Sequence, residues 1–183
     1  MNLTTPNKVK NGSRPISGNF DDDRLQRFII EAEQIHVKPR IGDELYIDLL
    51  KYVNSDAIQQ TSFPVEYKTL LEGGIYYANS CCNVGTFQFM GLIEALNYYV
   101  YAGLIKSNDY NVTRFGGSMV KRDDYSQRPE LREKLAAEKD TLIIADTYMN
   151  ECIGYLEANK ENIPLFKSAG IKENMLQIQI IGE

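Results

Sequence analysis

Phe87-Gln-Phe-Met-Gly-Leu-Ile-Glu-Ala-Leu-Asn-Tyr-Tyr-Val-Tyr-Ala-Gly-Leu-Ile105 is the stretch whose reading decides how this chain folds. It reads as one helix, apolar nearly all the way round, with only Gln88, Glu94 and Asn97 interrupting. A helix without a polar face has to be surrounded on every side. The candidate surroundings are the centre of a bundle, a subunit interface or a membrane. The run is about as long as a membrane span, roughly 20 residues. Glu94 falls mid-segment, however, where a carboxylate costs on the order of 2.5 kcal/mol or more. Tyr98, Tyr99 and Tyr101 lie inside the run rather than at its ends, and no Lys/Arg cluster flanks it. A buried helix in a packed bundle is the reading these residues favour.

Working outward, 183 residues with 43% apolar content are enough for one domain with a real core. The formal charge is −5, from 20 Lys+Arg against 25 Asp+Glu. An acidic surface argues against tight, unassisted binding of nucleic acid, though not against nucleic acid passing nearby. The opening Met1-Asn-Leu-Thr-Thr-Pro6 has no charged region followed by an apolar one, so a secretory leader is not expected. Cys81, Cys82 and Cys152 are an odd set with an adjacent pair; they read as reduced, buried small hydrophobes rather than a disulfide framework.

Three regions are expected: an extended N-terminal arm over 1–18, a helical bundle over 19–170 and a C-terminal strand tail over 171–183. The first helix is expected to start near Asn19, with Asp21, Asp22 and Asp23 complementing its dipole. Pro39 should end it by about His36. A second helix follows Gly42 and stops near Asn54. A third begins at Pro64, breaks at Gly73-Gly74 and resumes through Ile75-Tyr76-Tyr77 towards Cys82. After the apolar helix, Val112–Phe115 and Ser118–Lys121 read as two short strands around a Gly116-Gly117 turn, with a glycine-rich loop as the alternative. The last helix has Ser126 as a candidate cap and Pro129 in its first turn. Leu131, Leu135, Leu142, Ala145, Met149, Cys152 and Leu156 form its stripe, and it should run about 45 Å. Ile143, Ile144, Ile153 and Tyr155 add a second apolar face, which implies a second partner. Leu176, Ile178 and Ile180 alternate with Gln177 and Gln179, a strand signal that needs a sheet to join. The fold class is therefore mainly all-α, a helical bundle with a long C-terminal helix and a small β element.

No catalytic constellation is found. His36 has no metal-ligand partners at recognisable spacing, and the Asp21–Asp23 run points in different directions on a helix, so its role is capping. Cys81-Cys82 has no basic neighbour to lower a thiolate pKa. The glycine pairs fit no phosphate-binding pattern. Glu94 and Asn97, one turn apart, should satisfy each other or a backbone group. No cofactor, metal or enzymatic activity is expected.

Three stretches carry a family likeness: DDDRLQRFIIEAEQIHVKPRIGDELYID (Asp21 to Asp48), LLEGGIYYAN with FMGLIEALNYYVYAGLI (Leu70 to Ile105), and GGSMVKRDDYSQRPELREKLAAEKDTLIIADTYMNECIGYL (Gly116 to Leu156). Their order resembles the head–tail connector (adaptor or head-completion) proteins of tailed bacteriophages, especially those of crAss-like Bacteroides phages. The resemblance implies a helical virion subunit at the neck, assembled in the host cytoplasm into a ring, usually twelvefold. That ring would bind the portal protein and a downstream tail or neck protein, and duplex DNA would pass through without sequence-specific contact. No membrane is implied. The interface candidates are then Ile143, Ile144, Ile153 and Tyr155 on the long helix, Leu176, Ile178 and Ile180 on the tail, and Phe115 and Met119 in the hairpin. Two other readings fit parts of the sequence. A small helical DNA-binding or regulatory accessory would use the break at Lys38-Pro39-Arg40 as a helix-turn-helix. A metal-dependent enzyme would use the aspartate run.

Overall fold

Asp21 starts the first long helix, its carboxylate accepting the Asp23 backbone N–H at 2.9 Å. Asp22 and Asp23 follow in the first turn, where the dipole favours negative charge. The cap is thus two residues later than Asn19. The computed structural model describes residues 2–12, 14, 16–54, 64–79, 84–107, 110–113, 116–119 and 131–167. Its elements are α1 (Pro6–Lys10), α2 (Asp22–Ala32), a π turn (Glu33–Val37), α3 (Lys38–Ile41), α4 (Asp43–Asn54), α5 (Val65–Glu72), β1 (Gly74–Asn79), β2 (Val84–Phe89), α6 (Leu92–Ser107), β3 (Tyr110–Thr113), β4 (Gly116–Met119) and α7 (Leu131–Ala158). The fold is mainly helical, with a long C-terminal helix and a small β component.

The stop expected at His36 does not occur. The helix widens into the π turn and runs on into α3, with Pro39 in its first turn. A wider turn changes which carbonyl lies behind a proline ring that can neither donate nor avoid a normal helical neighbour. Lys38-Pro39-Arg40 is therefore helical rather than the turn of a helix-turn-helix. The chain reverses only at Gly42, φ +89°.

The largest correction falls on 74–91. Ile75–Asn79 does not resume a helix, and Phe87-Gln88-Phe89 is not the start of one. β1 and β2 pair antiparallel, Gly74 opposite Phe89 through Asn79 opposite Val84. Gly73 (φ +86°) and Gly91 (φ +89°) occupy left-handed backbone at the root of this hairpin. The two strands of backbone cross so closely there that a Cβ on Gly73 would lie 2.6 Å from the Phe89 carbonyl oxygen.

From Leu92 onward the expectation holds. In α6, Leu92, Ala95, Leu96, Tyr99, Val100, Ala102 and Leu104 are all buried. The helix packs most extensively on α7, then on α2 and α5, so it is the hub of the bundle. No helix among the described residues is long and apolar enough to cross a membrane.

On α7, 28 residues and about 42 Å long at 1.5 Å per residue, Ala145, Met149, Cys152 and Leu156 are fully buried. Leu135 is 52% exposed, so the stripe leaves the core towards the helix start. The arm also departs from expectation. Leu3 and Val9 belong to the core, α1 is capped by Thr5, and Lys10 pairs with Asp22 at 2.6 Å. The second hairpin forms, but in another register. Thr113 faces Gly116 and Val112 faces Gly117, so the glycines lie in β4 rather than in the turn. The β-branched pair Val112-Thr113 carries its strand up to the turn. Residues 168–183, with the expected tail strand, lie outside the described residues, as do Ser126, Pro129 and the Cys81-Cys82 pair.

Candidate functional site

The β1–β2 hairpin has two unlike faces. On the inner side Tyr76, Phe89 and Tyr155 form an aromatic cluster, with ring centroids 5.5 Å (Tyr76–Tyr155) and 4.8 Å (Phe89–Tyr155) apart. Gly154 makes room for it: a Cβ there would fall 2.8 Å from the Tyr76 hydroxyl. On the outer side Ile75 is 68%, Tyr77 61% and Val84 66% exposed. Their cross-strand partners are Gln88, Thr86 and Asn79. Beside the hairpin, a groove of about 580 Å³ runs along α7, lined by Tyr77, Phe87, Asn150, Glu151 and Glu157 among others. The hairpin pairs with no further strand among the described residues, so both outer edges present free backbone groups there. Exposed apolar residues contiguous on an unpaired sheet are the usual mark of a protein contact.

The residues singled out from the sequence divide. Ile143 is 54% exposed, two turns from the exposed Leu135, and both remain available to a partner. Ile144 is half-buried, and Ile153 packs against the core. Tyr155 is a correction. It is buried, and its hydroxyl donates to the Glu66 carbonyl at 3.1 Å, so it holds α5 to α7 rather than facing outward. Met119 pairs across from Tyr110 in the second hairpin. Phe115, Leu176, Ile178 and Ile180 lie outside the described residues. Ile75, Tyr77 and Val84 were missed because the segment was read with helical period. The β-branched and aromatic residues of Ile75-Tyr76-Tyr77 and Val84–Phe89, with Gly73-Gly74 ahead of the first run, are the strand signal that could have found them.

Two polar clusters hold the bundle. In one, the π turn presents His36, stacked on Tyr99 at 4.2 Å. Arg40 donates to the Tyr99 hydroxyl at 2.8 Å and to Asp146 Oδ1 at 2.6 Å, and Tyr99 donates to the same oxygen at 2.6 Å. Burial, with the Arg40 charge second, lowers the His36 pKa. Burial alone would raise the Asp146 carboxyl, but the Tyr99 and Arg40 hydrogen bonds and the Arg40 charge outweigh it and hold it below the usual range. A depressed carboxyl stabilises the fold above its unfolded pKa and loses that contribution as pH falls through its folded value. Asp146→Asn should therefore lower the melting temperature at neutral pH, and the gap from wild type should close below roughly pH 4. A gap that persists undiminished in acid would show that Asp146 acts through shape rather than charge.

In the other cluster, the buried Glu33 accepts from the Leu3 backbone N–H and from the Tyr46 hydroxyl, each at 2.7 Å. Cys152 is buried and its thiol is pushed up to about 12, chiefly by burial. Asp21 to Asp23 are exposed and serve as cap and first turn. No group of three or more His, Cys, Asp or Glu among the described residues could hold a metal ion. A family described as being of unknown function (DUF6712) matches residues 42–173, taking in the hairpin, α6 and α7. No curated protein and no solved structure matches the chain.

Proposed function

This chain belongs to the DUF6712 family of unknown function, and from that premise we propose that it is a structural subunit of a phage virion neck, forming a ring between portal and tail. The observation that carries the reading is the outer face of the β1–β2 hairpin, where Ile75, Tyr77 and Val84 are more than half exposed on a sheet that no further strand among the described residues extends. Leu135 and Ile143 add a second exposed apolar region on α7. Two such surfaces on one subunit suit a head-to-tail contact, which closes into a ring when the rotation permits. The likeness of the helices to head–tail connectors supplies the setting. The net charge of −5 suits a channel wall that lets DNA pass without gripping it.

Native mass spectrometry of the protein, alone and with its cognate portal, tests the reading. A ring or a portal-bound ring is expected; a strict monomer that ignores the portal would count decisively against it. Ile75→Asp is expected to depopulate the ring at least tenfold. Because Ile75 is 68% exposed, the same change should cost the subunit little beyond strand propensity, about 1 kcal/mol. Parallel loss of assembly and stability would move the interface away from the hairpin.

A further inference from the structure

Between α1 and α6 lies a cavity of about 530 Å³, within the size range of small-molecule sites. Leu71 and Ile93 give its lining an apolar part, and Lys8 also lines it. Glu94 and Asn97, adjacent on one face of α6, both line it. Asn97 Nδ2 donates to Glu94 Oε2 at 3.4 Å. That leaves Glu94 Oε1 and Asn97 Oδ1, each buried at the atom and each without a protein hydrogen-bond partner among the described residues. Asn97 as a whole is only 9% exposed. Buried polar atoms are normally satisfied, and a pair left open costs stability unless something fills it.

Both open atoms are acceptors, so the missing group is a donor, and the carboxylate calls for a cationic one. Arg14, which lines an adjoining smaller cavity with the same two residues, does not serve. Its guanidinium lies over Tyr98 and Tyr101 and donates to Thr141 at 3.3 Å. A metal ion is a poor match. Calcium takes six to eight oxygens and magnesium a near-ideal octahedron, whereas this cavity has a partly apolar lining and only Glu72 as a second carboxylate. Apolar lining beside paired acceptors suits a nitrogen cation on a methylene stem. Gly12 keeps the approach open: a Cβ there would meet Asn97 Nδ2 at 3.1 Å. We propose that the α1–α6 cavity binds a guanidinium or primary ammonium group, held by Glu94 and Asn97. Its source is either a free amine or a basic side chain.

Thermal unfolding and calorimetric titration with agmatine, with N-acetyl-arginine amide and with calcium chloride test this. Either organic cation at millimolar concentration should raise the wild-type melting temperature. Agmatine carries an ammonium and a guanidinium, the arginine derivative a guanidinium alone. A larger effect of agmatine therefore shows that the free ammonium adds to binding, and an equal or larger effect of the derivative points to a basic side chain; both support the site. Glu94→Gln should weaken binding at least about tenfold, since it removes the charge from the bond. The same variant should melt no lower than wild type without ligand, because it removes a carboxylate whose Oε1 has no protein partner while an amide oxygen can still accept from Asn97. A merely structural Glu94 would move the other way. Gly12→Ala, in the lining, should also weaken binding and serves if Glu94→Gln fails to fold. A wild type unmoved by both organic cations, a shift undiminished in both variants, or a shift produced by calcium alone would overturn the proposal.

Discussion

Gly91→Ala is expected to destabilise the protein by about 3 kcal/mol or more, from left-handed backbone at about 1–2 kcal/mol and overpacking at about 1–3 kcal/mol. Gly91 has φ +89°, and a Cβ there would come within 2.6 Å of the Glu72 carbonyl carbon and 2.7 Å of the Leu71 carbonyl oxygen. These are backbone atoms, so no rotamer change can relieve the clash. Gly42 supplies the control. Its φ is also +89°, but an added Cβ would meet nothing within 4 Å. With ψ 151° Gly42 lies in backbone that is nearly glycine-only, so Gly42→Ala should cost only the conformational part, about 1–3 kcal/mol. Chemical denaturation of the two variants separates the effects. Equal midpoints would mean that the crossing of backbones at Gly73 and Gly91 is looser than its geometry implies.

Glu33→Ala should cost about 3–5 kcal/mol, because it strips two charge-assisted hydrogen bonds at about 1.5–3 kcal/mol each and leaves buried donors behind. The donors are the Leu3 N–H and the Tyr46 hydroxyl. Leu3 is 0% exposed, so the arm from Leu3 to α1 should loosen first. Faster tryptic cleavage at Lys8 and Lys10 than in wild type, at temperatures below global unfolding, is the expected readout; unchanged cleavage would show that Leu3 and Val9 hold the arm without Glu33. The carboxyl also leaves a pH signature. Desolvation raises its pKa, against the opposing bonds from Tyr46 and the Leu3 N–H. A raised folded pKa contributes stability below the unfolded value that is lost as pH rises through the folded one. The stability of wild type relative to Glu33→Gln should accordingly fall between acid and neutral pH.

The proposed assembly surface and the proposed cation site were legible to different degrees. Glu94 and Asn97 stood out in the sequence as the polar pair on an apolar helix, and their mutual bond follows from a spacing of three. That residues of α1 close the cavity over them is not suggested by reading 1–18 as an extended arm. Ile143 was legible from the second apolar face of α7. Tyr155 belonged to the same pattern, yet the hairpin covers it, and a helical wheel cannot foresee a cover supplied by residues 74–89.

Local chemistry determined what neighbours along the chain could settle: the aspartate-rich start of α2, the burial of Leu92–Leu104, the long helix and the mainly helical class. Each rests on spacing, capping or hydrophobicity that acts within a few residues. Tertiary structure decided where the apolar run begins as helix, because Gly73 and Gly91 let two backbones cross and turned Phe87–Phe89 into a strand. It also decided that Pro39 does not end the helix, that Leu3 is core, and which apolar side chains remain uncovered. Those outcomes depend on contacts between residues far apart in the chain, such as Leu3 with Glu33 and Tyr76 with Tyr155. Their free energy exceeds the weak local preferences that a sequence reading weighs.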